Sequence, residues 1–311
     1  MATFLFHHPD VLLHDMGTGH PERPDRIRAV MARLDEPEFA ALVRHEAPEA
    51  AREALESVHP AAYLDMLRDV APSGEDLVRL DADTVMNQGS LTAACRAAGG
   101  AVAAVDAVMR GACANAFVAT RPPGHHAERA RAMGFCFLGN AAVAARHAQV
   151  AHGAERVAIV DFDVHHGNGT QDIFWDDPTV LYCSTHEMPL FPGTGARSER
   201  GTHDTIINAP LPSGADGAVF RDAMESAVLP RLEAFAPDLV IVSAGFDAHR
   251  RDPLASLRFE AADFGWITRK LMEVADRLAQ GRLVSVLEGG YDIEGLSTSA
   301  AAHVTALMGS D

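Results

Sequence analysis

The feature that most constrains this chain is an alternation of two textures. Short apolar runs rich in β-branched residues, at 116–120, 156–163, 180–184, 239–243 and 283–287, are separated by long Ala-rich stretches whose apolar residues recur at helical spacing. Near-continuous hydrophobicity in a short run means a strand covered on both faces, and helices between such strands act as crossover connections. The predicted helices are 23–34, 91–109, 140–150, 220–235, 261–278 and 295–307. The expected class is α/β, with a mostly parallel central sheet flanked by helices on both faces. No repeat, low-complexity tract or linker divides it, so 1–311 reads as a single domain.

Ligands of open parallel sheets bind just beyond the carboxyl ends of the strands. All five runs end in polar clusters: Arg121-Pro-Pro-Gly-His125-His126, Asp161-Phe-Asp163-Val-His165-His166-Gly-Asn168-Gly, Ser184-Thr185-His186, Ala244-Gly-Phe-Asp247-Ala-His249 and Glu288-Gly-Gly-Tyr291. Asp161, Asp163 and His165 stand two apart, so on an extended chain they leave one face about 6.5–7 Å apart. Two of them can share a metal, with Asp247 as a third ligand from another strand end. Carboxylates gathered at the end of a buried sheet would repel one another without a cation among them. Three protein ligands plus water describe an open, catalytic site, suited to Zn²⁺ but also to Fe²⁺ or Co²⁺.

The tandem imidazoles His125 and His126 follow a stiff Pro-Pro-Gly turn and suit proton handling, one taking a proton from the attacking water while the other stabilises charge. Asp161 and Asn168 could orient their far ring nitrogens. Tyr291, after two glycines, could donate to an oxyanion. Other chemistries lack their motifs. There is no Gly-x-Ser-x-Gly elbow, the pairs His45-Glu46 and His186-Glu187 lack the second His of a helical zinc protease, and Gly167-Asn-Gly169 is only a fragment of a dinucleotide turn.

Composition narrows the partners. Twenty-six Lys plus Arg against 43 Asp plus Glu give a net charge of −17, which opposes binding to nucleic acid and would suit a cationic substrate. The four cysteines form no Cys-x-x-Cys pair and read as buried free thiols of a reducing compartment. Residues 1–10 do not look like a leader, and no apolar run is read as long enough to span a membrane. The expected location is cytoplasmic, with homo-oligomerisation open.

These motifs, joined by Phe191-Pro-Gly-Thr-Gly195 and Ser243-Ala-Gly-Phe-Asp247, together resemble the zinc-dependent histone deacetylase family, which includes acetylpolyamine amidohydrolases and acetoin-utilisation proteins. They follow the family's order from His20-Pro-Glu-Arg-Pro-Asp-Arg26 to Tyr291. The resemblance implies an arginase/deacetylase-like fold and hydrolysis of an acetyl, or other short acyl, amide of a lysine-like amine in a small molecule or peptide. It implies zinc on Asp163, His165 and Asp247, His126 as general base and acid, His125 as its electrostatic companion, and Tyr291 polarising the carbonyl. Gly134, Phe135 and Phe191 would line the substrate tunnel, Asp83 its rim, and Arg26 an internal acetate channel. Potassium would sit near Asp161, Asp163, His165, Ser184 and Thr185. Asn168, where many nuclear members carry Asp, points to the class II, bacterial-type branch. Leu254 stands where a polyamine-selective member carries a Glu, and a dimerising insertion is missing, both of which count against an acetylpolyamine substrate. Two rivals remain: a binuclear-manganese ureohydrolase, suggested by Asp247-Ala-His249, and a non-catalytic acyl-ligand sensor.

Overall fold

The computed structural model describes residues 2–309 of the 311-residue chain. Its strands are β1 (Thr3–His7), β2 (Val43–Glu46), β3 (Val78–Arg79), β4 (Val85–Met86), β5 (Asn115–Val118), β6 (Val157–Asp161), β7 (Val180–Glu187), β8 (Ile206–Leu211), β9 (Leu239–Ala244) and β10 (Leu283–Leu287). Eight of them form one sheet in the order β2-β1-β5-β10-β9-β6-β7-β8, and every pairing in it is parallel. β3 and β4 form a separate antiparallel hairpin.

The five strands expected from sequence are the five contiguous central ones. Covered on both faces, they carry the unbroken apolar runs. The strands without such a run, β1, β2 and β8, lie towards the edges. β2 is exposed along its whole length, and β8 carries Pro210. Boundaries move for physical reasons. The 156–163 run stops pairing at Asp161, and 180–184 continues to Glu187 because buried polar His186 and Glu187 still pair with β8.

The α-helices are α1 (Asp25–Leu34), α2 (Arg52–Glu56), α3 (Ala61–Val70), α4 (Ser90–Met109), α5 (Asn140–His152), α6 (Asn168–Phe174), α7 (Gly217–Ala223), α8 (Leu229–Phe235), α9 (Ala261–Leu278) and α10 (Ile293–Leu307). The single helix expected over 220–235 is instead α7, a π-helical turn over Met224–Val228, and α8. Pro230 has no N–H to give the preceding turn and its ring crowds the carbonyl four residues back, so the helix widens there. One expectation is corrected at α4. This helix is long and apolar enough to cross a membrane by length and composition alone, but over half of that window is buried inside the fold. Ala94, Ala98, Ala101 and Ala104 pack in the core, because alanine's small side chain permits close approach of the neighbouring helix α5. Among the cysteines, Cys113, Cys136 and Cys183 are buried free thiols, while Cys95 is only half-buried.

Two hydrophobic cores cover the sheet's two faces, one holding Phe117, Phe162, Phe246 and Phe264, the other Phe137, Phe174, Tyr182 and the alanines of α4 and α5. They leave the carboxyl ends of β5, β10, β9 and β6 side by side, and there the polar clusters meet.

Candidate active site

Asp161, the last residue of β6, does not stay on one strand face with Asp163 and His165. The chain turns after it, sending Phe162 and Val164 into the core and bringing Asp163 and His165 against Asp247 from the end of β9. His165 Nδ1 lies 3.2 Å from Asp163 Oδ1 and 3.2 Å from Asp247 Oδ2. Tetrahedral ligands about 2.0–2.2 Å from an ion stand about 3.3 Å apart, so this buried cluster has the size and the donors of a divalent-cation site. Backbone amides hold it: Val164 N donates to Asp247 Oδ1 (2.9 Å) and Gly289 N to Asp163 Oδ2 (2.8 Å). Close approach requires glycine here. A Cβ on Gly289 would stand 2.1 Å from Asp247 Oδ2, and one on Gly245 2.0 Å from Asp163 Oδ2.

The loop after β5 delivers both histidines. Glu288 accepts the backbone N–H groups of Gly124 (2.6 Å) and His125 (3.2 Å), fixing that loop to the end of β10. His125 Nδ1 lies 3.0 Å from Asp161 Oδ2, which also accepts from the Tyr182 hydroxyl at 3.0 Å. His126 Nδ1 lies 2.8 Å from Asn168 Oδ1. The two rings separate electrostatically. Burial alone would lower His125, but the carboxylates of Asp163 and Asp161 overrule it and raise its pKa well above the ordinary value. Burial lowers His126 well below it, and the neighbouring His125 and His165 act the same way. Against the cost of burial, Asp163 and Asp247 raise His165 to about 10, so a cation entering the cluster displaces a proton.

A cavity of about 230 Å³ opens over this cluster, lined by Asp83, His126, Gly134, Phe135, His165, Leu190, Phe191, Leu254 and Tyr291. Gly134 and Phe135 both adopt positive φ, 56° and 69°. For phenylalanine that is a strained conformation, held here by a hydrogen bond from Phe135 N to Thr84 Oγ1 (3.0 Å). The Phe135 ring meets Tyr291 edge-on with centroids 5.7 Å apart. Phe191, 39% exposed, stands near His126 at 5.1 Å between centroids. Leu254 is half-buried on the wall. Burial, with Asp247 and Asp163 nearby, raises the Tyr291 hydroxyl well above its usual pKa despite Arg26. Arg26 lies beneath, its guanidinium 4.8 Å from the Tyr291 ring centre and donating to the carbonyls of Glu288 (2.5 Å) and Gly290 (2.6 Å).

The histone deacetylase domain family matches residues 20–307. The chain belongs to the histone deacetylase family. A histone deacetylase-like amidohydrolase of Pseudomonas aeruginosa is 42% identical over 278 residues, covering 88% of this chain and 73% of that protein. A probable deacetylase of Archaeoglobus fulgidus is 38% identical, covering 100% of this chain and 88% of its own length. The solved structure of the HDA15 HD domain superposes with a TM-score of 0.93 at 37% identity, covering 99% of this chain and 88% of that one. This deacetylase is accordingly a metal-dependent hydrolase of acylated amines, with the parallel-sheet architecture expected from its sequence. His249, on which the ureohydrolase rival leaned, is not in the ligand cluster; its Nδ1 accepts from Arg251 N at 3.3 Å and its ring lies against Gly295. Glu288 is legible in the sequence only as part of a strand-end motif and not as the clamp of the His loop, and Tyr182, Thr84 and Leu190 are not legible there as site residues. Only Tyr182 left a trace, as a polar aromatic inside an apolar strand.

Proposed function

We propose that this deacetylase is a zinc enzyme that removes an acetyl or other short acyl group from a lysine-like amine, releasing acetate, with Asp163, His165 and Asp247 as the zinc ligands. The observation that carries this reading is the convergence of two carboxylates and one imidazole at tetrahedral spacing on the floor of an aromatic-walled cavity that also exposes His126 and Tyr291. When bound, the zinc supplies Lewis acidity, polarising the acyl carbonyl and acidifying a water ligand.

The chain's own groups supply the rest. His126 is neutral, and with its Nδ1–H given to Asn168 Oδ1 its Nε2 lone pair faces the cavity, ready to take a proton from water and return it to the leaving amine. His125, charged and tied to Asp161, stabilises negative charge as it builds on the substrate oxygen. Tyr291 remains protonated and donates to that same oxygen. Phe135 and Phe191 grip the methylene stem, Gly134 leaves room beside His126, and Asp83 at the rim receives the substrate's backbone. Leu254 on the wall carries no charge for a second ammonium group, which favours an acetyl-lysine-like substrate over an acetylpolyamine. Arg26 would meet the released acetate at the inner end of the pocket. A structural potassium would lie beside Asp161, held by its carboxylate, by carbonyls of Asp163 and His165 and by the Ser184 hydroxyl. Thr185, whose side chain leaves the opposite face of β7, would offer its carbonyl alone. Free thiols and a net charge of −17 support a cytoplasmic protein that does not bind nucleic acid.

The test is acetate release from acetyl-lysine peptides, N-acetylpolyamines and longer acyl-lysines, with His126→Ala as blank. Turnover that is strongest on acetyl-lysine peptides and restored to metal-stripped enzyme by Zn²⁺ supports the reading. Equal turnover by the blank refutes it. Asp247→Ala should lose its metal on dialysis, as elemental analysis would report.

A further inference from the structure

A second metal-ligating cluster lies outside the catalytic cavity. Asp106 on α4 and His147 and His152 on α5 bring their ligand atoms within 4.8 Å of one another, and among the described residues only the catalytic cluster does the same. Both imidazoles aim Nε2 at one carboxylate oxygen, Asp106 Oδ1, at 2.8 and 2.6 Å. Three ligand atoms from two helices thus meet at one place, as they would around an ion. We propose that Asp106, His147 and His152 form a second divalent-cation site, selective for Zn²⁺ or a similar borderline ion, that clamps α5 to α4. Two imidazoles and one carboxylate are ligands such ions prefer. Binding moves each ring's proton from Nε2 to Nδ1, and the ligand atoms open by about 0.5–0.7 Å to reach tetrahedral spacing. The side chains are 20%, 12% and 30% exposed for His147, His152 and Asp106, so an ion has an entry path and solvent can complete the coordination. Arg110 contacts only the other carboxylate oxygen, at 3.3 Å, and is 68% exposed, free to swing away.

Metal-stripped full-length protein titrated with Zn²⁺ against a chromophoric chelator should take up two equivalents. The His147→Ala/His152→Ala variant should take up one and release acetate within about twofold of the parent. One equivalent in the parent that the variant also takes up, or two retained by the variant, overturns the proposal. Asp106→Asn, which leaves both imidazoles in place, should also take up one equivalent and covers the case where the double variant unfolds. Loss of the catalytic ion alone would read differently, as one equivalent in the parent and none in the variants.

A separate observation concerns Asn168. A side-chain amide can face a histidine with either its oxygen or its NH₂, and the choice sets the ring's tautomer. Here Asn168 Nδ2 donates to Glu128 Oε1 at 2.8 Å and reaches Met133 Sδ at 3.3 Å. A carboxylate accepts only, so Glu128 forces the NH₂ to its side and Oδ1 towards His126. We infer that Glu128 is a positioning residue, acting through Asn168 to keep His126 protonated on Nδ1 with Nε2 free. This rests on the role of His126 proposed above. Glu128→Gln, which can also donate, should lower kcat about tenfold with KM, zinc content and Tm unchanged. In an Asn168→Asp background, where a carboxylate cannot be flipped, Glu128→Gln should cost less than about twofold. An equal loss in both backgrounds, or none in the first, overturns the inference. His126→Ala retaining turnover would instead sink the function itself.

Discussion

At the scale of single residues, the site works because each group is held by a partner that fixes its charge. Tyr291→Phe removes the donor to the substrate oxygen and His126→Ala the base; each should lower kcat by at least about 10²-fold while the far-ultraviolet circular dichroism stays that of the parent. Gly289 makes a different demand. Its missing Cβ leaves room for two carboxylates, Asp247 Oδ2 at 2.1 Å and Asp163 Oδ2 at 2.5 Å from where a methyl would stand. Gly289→Ala should therefore give folded protein with little retained metal by elemental analysis. The histidines and aspartates of the site were legible in the sequence because each follows an apolar run. The pairing of His125 with Asp161 and of His126 with Asn168 was legible only as a pair of possible partners, since choosing between them needs the angle at which two loops meet.

At the scale of elements, α9 shows a local code that the chain obeys. Glu260 and Asp263 form a reciprocal capping box, Asp263 accepting from Glu260 N at 2.9 Å and from Arg221 at 2.8 Å. Asp263→Ala should lower stability by about 1–2 kcal/mol in urea unfolding and leave acetate release unchanged. Helix α10 is tied to its neighbours through His303, buried between Thr268 (2.6 Å) and Ser285 (2.8 Å). Burial holds its pKa at about 3, against 6.5 for an exposed ring. The unfolded chain therefore binds a proton that the folded protein refuses, and stability falls as pH drops from 6.5 towards 3, by up to about 1.4 kcal/mol per pH unit. His303→Leu should be less stable at neutral pH, having lost two hydrogen bonds, but its unfolding midpoint should vary less between pH 6.5 and 4.

At the scale of the whole molecule, the segment before α1 is bound to the sheet through buried charge. Glu22 accepts from Arg121, at the end of β5, through both carboxylate oxygens, and from Arg26 on α1 at 3.0 Å. His14 lies 3.2 Å from the same carboxylate, and Arg121 also donates to the carbonyls of Val11 and His14. Against the cost of burial, the Arg121 guanidinium and the His14 ring pull Glu22 well below the ordinary carboxylate range. Glu22→Ala leaves two buried cations without a counter-charge and should destabilise by about 3–5 kcal/mol. Because Arg26 packs under Tyr291, activity should fall with it, which differential scanning calorimetry and acetate release measured together would register.

What the sequence determined by itself was the architecture's middle and its chemistry. Burial on both faces writes an unbroken apolar run, and ligands at a sheet's end must break that run with polar residues, so both survive in a one-dimensional reading. The tertiary structure alone decided where β1, β2 and β8 pair, how the helix over 220–235 divides near Pro230, which carboxylate clamps the histidine loop, and that Asp106 meets His147 and His152. Each of these depends on residues far apart in the chain or on the local geometry of a crowded turn. Hydrophobic periodicity reports which face is covered, never what covers it.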